Sequence, residues 1–395
     1  MNLERILRES EASLLVRFLL LLAFLYFLHI SWPTIEKQMN NSDYQTVVDG
    51  IQSEIKVIKD HPEVLATINT LYKEVLQLLE HLDLNFDQLP LEEKKLDTKK
   101  IEKPNLTLPT KGQLFSINNI QIGDSKTEIE HNVGGPKRTT SNEYGVNWST
   151  YHENYQHFYM LAYDDSNQVA GLYTNQDVIS STNGIQIGTT KQEVREKLGE
   201  PITKIQKGFI QYQYKVNEEY DLFLQDDIYI TIFYDQHVND TVTAILMVKK
   251  ELEQNKPGFY QEGSLPLKEG FEYQLFDLTN ATRVNHGLSV LTWNDRVRET
   301  ARDHSFDMAE KNYFDHTNLD GESPFDRMEE DQVVFNLAGE NLATGQFSSI
   351  FAHEGLMNSL GHRENILRED YEYLGVGVAF NHESQPYYTE NFFAD

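Results

Sequence analysis

The chain has 395 residues, 39% of them hydrophobic, and a formal net charge of −28 at pH 7. That charge argues against a nucleic-acid binder, because phosphate recognition needs a basic footprint. The absence of any cysteine excludes disulfides, thiolate metal sites and a cysteine nucleophile, and the length allows two or more domains with real cores.

Residues 14–30 are apolar apart from Arg17 and His29. With Arg17 reaching back to the surface the run approaches a bilayer span, and Trp32 suits the interface beyond it. No small-x-small cleavage site follows, so residues 1–33 read as an uncleaved signal-anchor. The alternatives are a cleaved signal, which would make the protein secreted, and a buried helix of a soluble domain. Arg5, Arg8 and Arg17 precede the core and only Lys37 follows closely, which keeps the N-terminus inside and the rest of the chain outside the cytoplasm. Residues 34–84 carry two runs of helical spacing: Val47, Ile51, Ile55 and Ile58, then Val64, Ile68, Leu71, Val75 and Leu78. Pro62 stands at the first turn of the second run. They read as a helical stalk, serving either as a spacer or as the contact of a homo-oligomer. Residues 85–115 turn to Lys, Glu, Asp, Thr and Pro and read as a flexible linker.

An internal repeat follows within residues 116–250. Ile120-Gln121-Ile122-Gly123 returns 65 positions later as Ile185-Gln186-Ile187-Gly188, and Gly135-Pro136 as Glu200-Pro201. Copies 117–182 and 183–248 each read as an extended stretch, a Ser/Thr-capped helix, a stop at Gly and Pro, and alternating aromatic strands. In the second copy the strands fall at 209–216, 220–224, 228–234 and 242–248. No nucleophile, metal cluster or phosphate loop stands out, which points to a partner-binding or positioning role. Residues 251–269, with Pro257, Gly258, Gly263 and Pro266, read as a second linker.

In residues 270–395 a first helix spans 271–285 and stops at Gly287. A second spans 294–312 and buries Val297, Ala301, Met308 and Ala309. His304 shares that apolar face and reads as a core histidine with a backbone partner. His316 follows Tyr313-Phe314 just past this helix, and Ser323-Pro324-Phe325-Asp326 resembles a capping-box start for a short helix. Glu340 lies in Gly339-Glu340-Asn341; a further helix spans 348–359, and Gly361-His362 comes after it. Residues 371–380 and 387–393 alternate as strands, with Tyr388 and Asn391 read as core or edge residues near a cleft. Only a tertiary fold brings His316, Glu340 and His362 together.

Those segments, in order with Asn285-His286-Gly287-Leu288, Leu291-Thr292-Trp293-Asn294 and Gly375-Val376-Gly377-Val378, resemble the CAP superfamily of cysteine-rich secretory, antigen-five and pathogenesis-related proteins. The duplicated module resembles the CAP-associated N-terminal domain. The resemblance implies an α+β protein: a C-terminal αβα sandwich preceded by the duplicated module, the stalk and the transmembrane helix. It also implies that Glu340 lines a cavity with His316 and His362, and the lack of cysteine fits the bacterial branch and a cell envelope. One departure is Ser359, where eukaryotic relatives often carry a second glutamate. Glu354 lies about 140° around the helix from it and is a poor substitute.

Three chemistries stay open for this set. Two imidazoles and a carboxylate match a three-ligand metal site with an open position, for Zn2+ or Ca2+. A hydrolase would use Ser359, or a water, activated by His362 or His316 and oriented by Glu340. Nothing around Ser359 resembles a nucleophile elbow. A structural hydrogen-bond network is the third. The sequence thus describes a membrane-anchored, extracytoplasmic module that binds an envelope ligand or protein partner through a metal-capable cleft. A peptidase- or esterase-like hydrolase is the alternative.

Overall fold

The computed structural model describes residues 101–110, 112–214 and 219–395. The signal-anchor, the stalk and residues 85–100 of the first linker lie outside the described residues. Among those described, no helix is long and apolar enough to cross a membrane. Residues 101–110 do not behave as the free linker their composition implies. Side-chain amides of the following module hold them: Gln156 accepts from the Ile101 N–H at 3.0 Å, Asn119 from Thr107 at 2.7 Å and Gln121 from Thr110 at 2.8 Å.

The first module is a sheet with two short helices on one face. Its strands are β1 (Phe115–Ile117), β2 (Arg138–Ser141), β3 (Asn147–Glu153), β4 (Gln156–Tyr163), β5 (Val169–Thr174), β6 (Ile179–Ser181), β7 (Lys204–Lys207), β8 (Ile210–Gln213), β9 (Tyr220–Gln225), β10 (Ile228–Asp235) and β11 (Thr241–Lys249). Seven of them form one antiparallel sheet in the order β2-β3-β4-β5-β11-β10-β9, while β1 pairs with β6 and β7 with β8. Helices α1 (Lys126–Val133) and α2 (Lys191–Leu198) bury Ile129 and Val194 against one face of the sheet.

The two helix-opening loops are closed alike. The N–H of Gly123 donates to Val169 and that of Gly188 to Val242, at 2.8 and 2.9 Å, with φ of 85° and 86°. A side chain would be strained at such φ, so glycine recurs there. About the central pair β5 and β11, strand β4 in one half corresponds to β10 in the other.

The opposite face of this sheet is equally apolar, which a free-standing module could not tolerate. Trp148, Phe158, Tyr173, Tyr220 and Phe233 cover it, and the C-terminal domain buries them with Leu278, Ala281, Phe347, Ile350 and Phe351. Residues 251–269, read as a linker, are part of this joint. Helix α3 (Lys250–Asn255) buries Leu252, and Phe259 packs on the shared cluster. The long helix α4 (Leu265–Asn285) starts earlier than expected. Ser264 caps it, and Pro266 occupies the first turn, where its missing N–H has no partner to lose.

The C-terminal domain continues with β12 (Thr292–Trp293), α5 (Asp295–Lys311), α6 (Pro324–Glu330), β13 (Leu337–Thr344), α7 (Ser349–Asn358), α8 (Leu360–Ile366), β14 (Tyr373–Phe380) and β15 (Pro386–Ala394). Its sheet runs β12-β14-β15-β13, antiparallel except for the parallel β12–β14 pair. Period-2 alternation on β14 sends Leu374, Val376 and Val378 into a core with α4 and α7. It turns Gly375 and Gly377 toward α5. A Cβ on Gly375 would lie 2.3 Å from the Arg298 nitrogen, and one on Gly377 2.1 Å from that of Arg302. The Gly-Val-Gly-Val motif therefore lets helix backbone lie directly on strand backbone. The result is three layers, α4, α7 and α8 over the sheet over α5 and α6.

Phe351 packs edge-on to Tyr220 at 5.2 Å and against Phe233 at 5.0 Å across the joint. Phe351→Ala is expected to destabilise the chain by about 3–5 kcal/mol. Because the core is shared, wild-type residues 112–395 should unfold in one transition. Two separate denaturant transitions for the two halves would contradict the shared core.

Candidate functional site

Glu340 sits on edge strand β13, and its carboxylate is 1% exposed. Each oxygen has a partner: His316 Nδ1 lies 2.9 Å from Oε1 and Arg327 Nη2 2.8 Å from Oε2. A carboxylate only accepts, so the Nδ1 of His316 carries the hydrogen and Nε2 is left for other partners. The loop bearing His316 begins where Asn312 ends α5 in a left-handed conformation. Arg327 anchors this loop, since its Nη1 donates to the carbonyls of His316 and Glu322 at 2.9 Å each. The Ser323–Asp326 capping box and Pro324 fix α6, and with it Arg327.

His316 is half exposed, and hydrogen bonding to Glu340 raises its pKa against the opposing effect of partial burial. His362 lies beyond α7, as expected, but within the first turn of a further short helix, because Ser359 ends α7 and opens α8. Asn341 Nδ2 holds the His362 carbonyl at 3.1 Å, and Asn365 Nδ2 bonds the Glu340 carbonyl at 3.2 Å and Asn341 Oδ1 at 2.9 Å. Partial burial and then the charge of His316 lower the His362 pKa.

The other candidates are placed elsewhere. Ser359 is half-buried at the start of α8 without capping it, and among the described residues no hydrogen bond joins its hydroxyl to an imidazole. Glu354 turns to the joint, where the Tyr173 hydroxyl donates to it at 2.8 Å. His304 is 1% exposed, with Nε2 3.0 Å from the Asp315 carbonyl. Tyr388 is core. Asn391, opposite Glu340 in the sheet, is fully buried with neither amide atom hydrogen-bonded.

Each Glu340 oxygen already accepts one hydrogen bond, and the Arg327 guanidinium supplies a positive charge beside it. Among the described residues no group of three or more His, Asp and Glu is disposed to hold a metal. Sequence reasoning gave Arg327 no role; a buried glutamate's need for a counter-charge was the usable signal. It also passed over Glu390, buried between Thr279 and Asn341 at 2.8 and 3.1 Å and pushed up to about 7 by burial.

An αβα sandwich whose edge strand carries Glu340 bonded to His316, fused to a helix-capped antiparallel sheet, defines a CAP architecture. The chain belongs to the cysteine-rich secretory protein family: residues 276–392 match that family, and residues 122–259 match the CAP-associated N-terminal domain. It is 30% identical over 310 residues to the membrane protein YlbC of Bacillus subtilis (strain 168), covering 72% of this chain and 84% of that one. Among solved structures, an extracellular SCP-domain protein of Bacillus anthracis str. Ames shares 25% identity with a TM-score of 0.61, over 75% of this chain and all of that one. A cysteine-rich secretory protein of Staphylococcus aureus subsp. aureus Mu50 shares the fold at 17% identity and a TM-score of 0.57, over 69% of this chain and 91% of that one.

Two outcomes test this geometry. Arg327→Ala strands the buried Glu340 charge and should cost about 3–5 kcal/mol in denaturant unfolding. Arg327→Lys recovers only part of it, because an ammonium cannot reproduce three directed bonds. At the joint, burial pushes Glu354 up to about 8. The folded chain keeps a proton that the unfolded chain releases above the ordinary carboxylate range, so this group's contribution is complete at low pH and fades as pH rises through 8. The Tm difference between Glu354→Gln and wild type should therefore grow in favour of the variant from pH 5 to pH 8. An unchanged difference would contradict a protonated Glu354.

Proposed function

We propose that this protein is an extracytoplasmic, membrane-anchored binding module whose cleft, built on His316, Glu340 and His362, takes an envelope ligand or partner without cleaving it. The observation that carries this reading is the engagement of Glu340: with one oxygen bonded to His316 and the other to Arg327, the carboxylate orients His316 and its charge is already balanced by the guanidinium. Ser359 lacks an imidazole partner, which leaves the hydrolase alternative without an activated nucleophile. Phe314 and Leu360, two residues before each histidine, are exposed apolar side chains that a ligand could cover. The membrane relative and the extracellular structural neighbour support the location, and residues 1–33 supply the anchor. The like-closed loops at Gly123 and Gly188 support reading 117–182 and 183–248 as two copies of one unit. In this role the doubled module fixes the height and orientation of the cleft above the membrane.

With a C-terminal tag on the full chain in a Gram-positive host, protease added to intact cells should remove the tag, and deletion of residues 1–33 should abolish membrane retention. A protected tag would overturn the placement. Peptide and ester panels should give no turnover by the wild type above that of Glu340→Gln. Turnover lost in that variant, with folding intact, would establish the hydrolase instead. Zn2+ or Ca2+ should leave the wild-type Tm unchanged; a stabilisation abolished by His316→Ala would restore the metal reading.

A further inference from the structure

The groove between α5 and α6, lined in part by Arg327, holds an open cavity of about 230 Å3. Asp303, Glu322, Glu330 and Asp331 line it, and among the described residues none of the four forms an ion pair with Lys or Arg. Asp307 lines it as well but is held by Lys311 at 2.6 Å. Like charges left together repel: burial and then Asp331 raise the Asp303 pKa, and Glu322 raises that of Glu330. A second observation is independent of these acids. His304 also lines the cavity and is 1% exposed, and its Nδ1 has no hydrogen-bond partner. Because Nε2–H donates to the Asp315 carbonyl, Nδ1 is left as a lone pair that can only accept. Asp331 accepts from the Thr300 hydroxyl and Glu322 from the Asn318 amide at 2.6 Å, so the acids have neutral donors but no cation, and the His304 Nδ1 has no donor at all. The acids are not grouped closely enough to hold a metal ion, and the space exceeds what one ion fills.

We infer that this cavity binds the ammonium or guanidinium head of an organic cation, supplied by a free amine or by a basic peptide side chain. Charge-assisted bonds to the carboxylates would hold the head, the acidic wall would draw it in, and the His304 lone pair is the remaining acceptor at the floor. The site is separate from the cleft proposed above and stands or falls without it.

The test is calorimetric titration of the full-length chain in detergent micelles with cadaverine, agmatine and a blocked Ala-Lys-Ala tripeptide. Saturable one-to-one binding that weakens with added salt is expected. In the Asp303→Asn, Asp331→Asn double variant the Kd should rise about tenfold or more. Glu330→Gln, at an exposed helix end where an amide can keep the contact with Glu322, should weaken binding several-fold and guards against misfolding of the double variant. Saturation by the free amines identifies a small-molecule site, and saturation by the tripeptide alone a peptide site; either supports the inference. No saturation by any probe at millimolar concentration, equal affinity in Glu330→Gln, or stoichiometric displacement by Ca2+ would overturn it.

Discussion

One constraint governs the rest: the seven-stranded sheet of the first module has two apolar faces and only one set of helices of its own. Its second face must be covered, and α4 and α7 of the C-terminal domain cover it. Apolar contact alone would permit sliding, and buried polar pairs remove that freedom. Arg138 holds Asp277 at 2.9 Å, Tyr173 holds Glu354, and Asn175 donates to Thr282, whose hydroxyl also meets His353 at 2.7 Å. Each pair loses solvation on burial and regains it only in one register, so the pairs specify the docking more than they strengthen it. Helix α7 then transmits that register. It packs Phe351 on the module and leads at Ser359 into α8, which carries His362 to the cleft.

The cleft shows what a buried acid requires. Glu340 needs a counter-charge, and Arg327 provides it from a short helix whose start is fixed by two side-chain caps. With that charge in place, His316 is oriented through Nδ1 and presents Nε2 outward. The same three side-chain types could coordinate a cation in another arrangement. Here the guanidinium occupies that electrostatic role, and the imidazole of His316 stays half exposed beside it.

Much of this was legible in the sequence. The periodicities of 294–312, 371–380 and 387–393 yielded α5, β14 and β15, and the Ser323–Asp326 spacing yielded the start of α6. His304 read as a core residue because its apolar neighbours lie three and four positions away, and it is one. What the sequence did not disclose was non-local. An alternating strand reports that one or both faces are buried but not against what, so the aromatic strands of the module looked like a self-contained unit. The prolines and glycines of 251–269 read as linker punctuation, although Pro266 sits in a helix's first turn. Gly375 and Gly377 read only as part of a shared motif in an alternating strand, and nothing local announced that α5 lies against them. Arg327 was one basic residue among many, and nothing in its local spacing marks it as the partner of an acid 13 positions later.

The close approach at Gly375 and Gly377 has a further consequence. It draws α5 onto the sheet, so that the outer side of α5 meets α6 only along a groove, and acids from both helices and the loop between them crowd there. Arg327 stands between the two sites. Its Nη atoms hold Glu340 and the His316 loop, while the same side chain lines the acidic cavity. Any charge placed in that cavity acts on the group that orients His316.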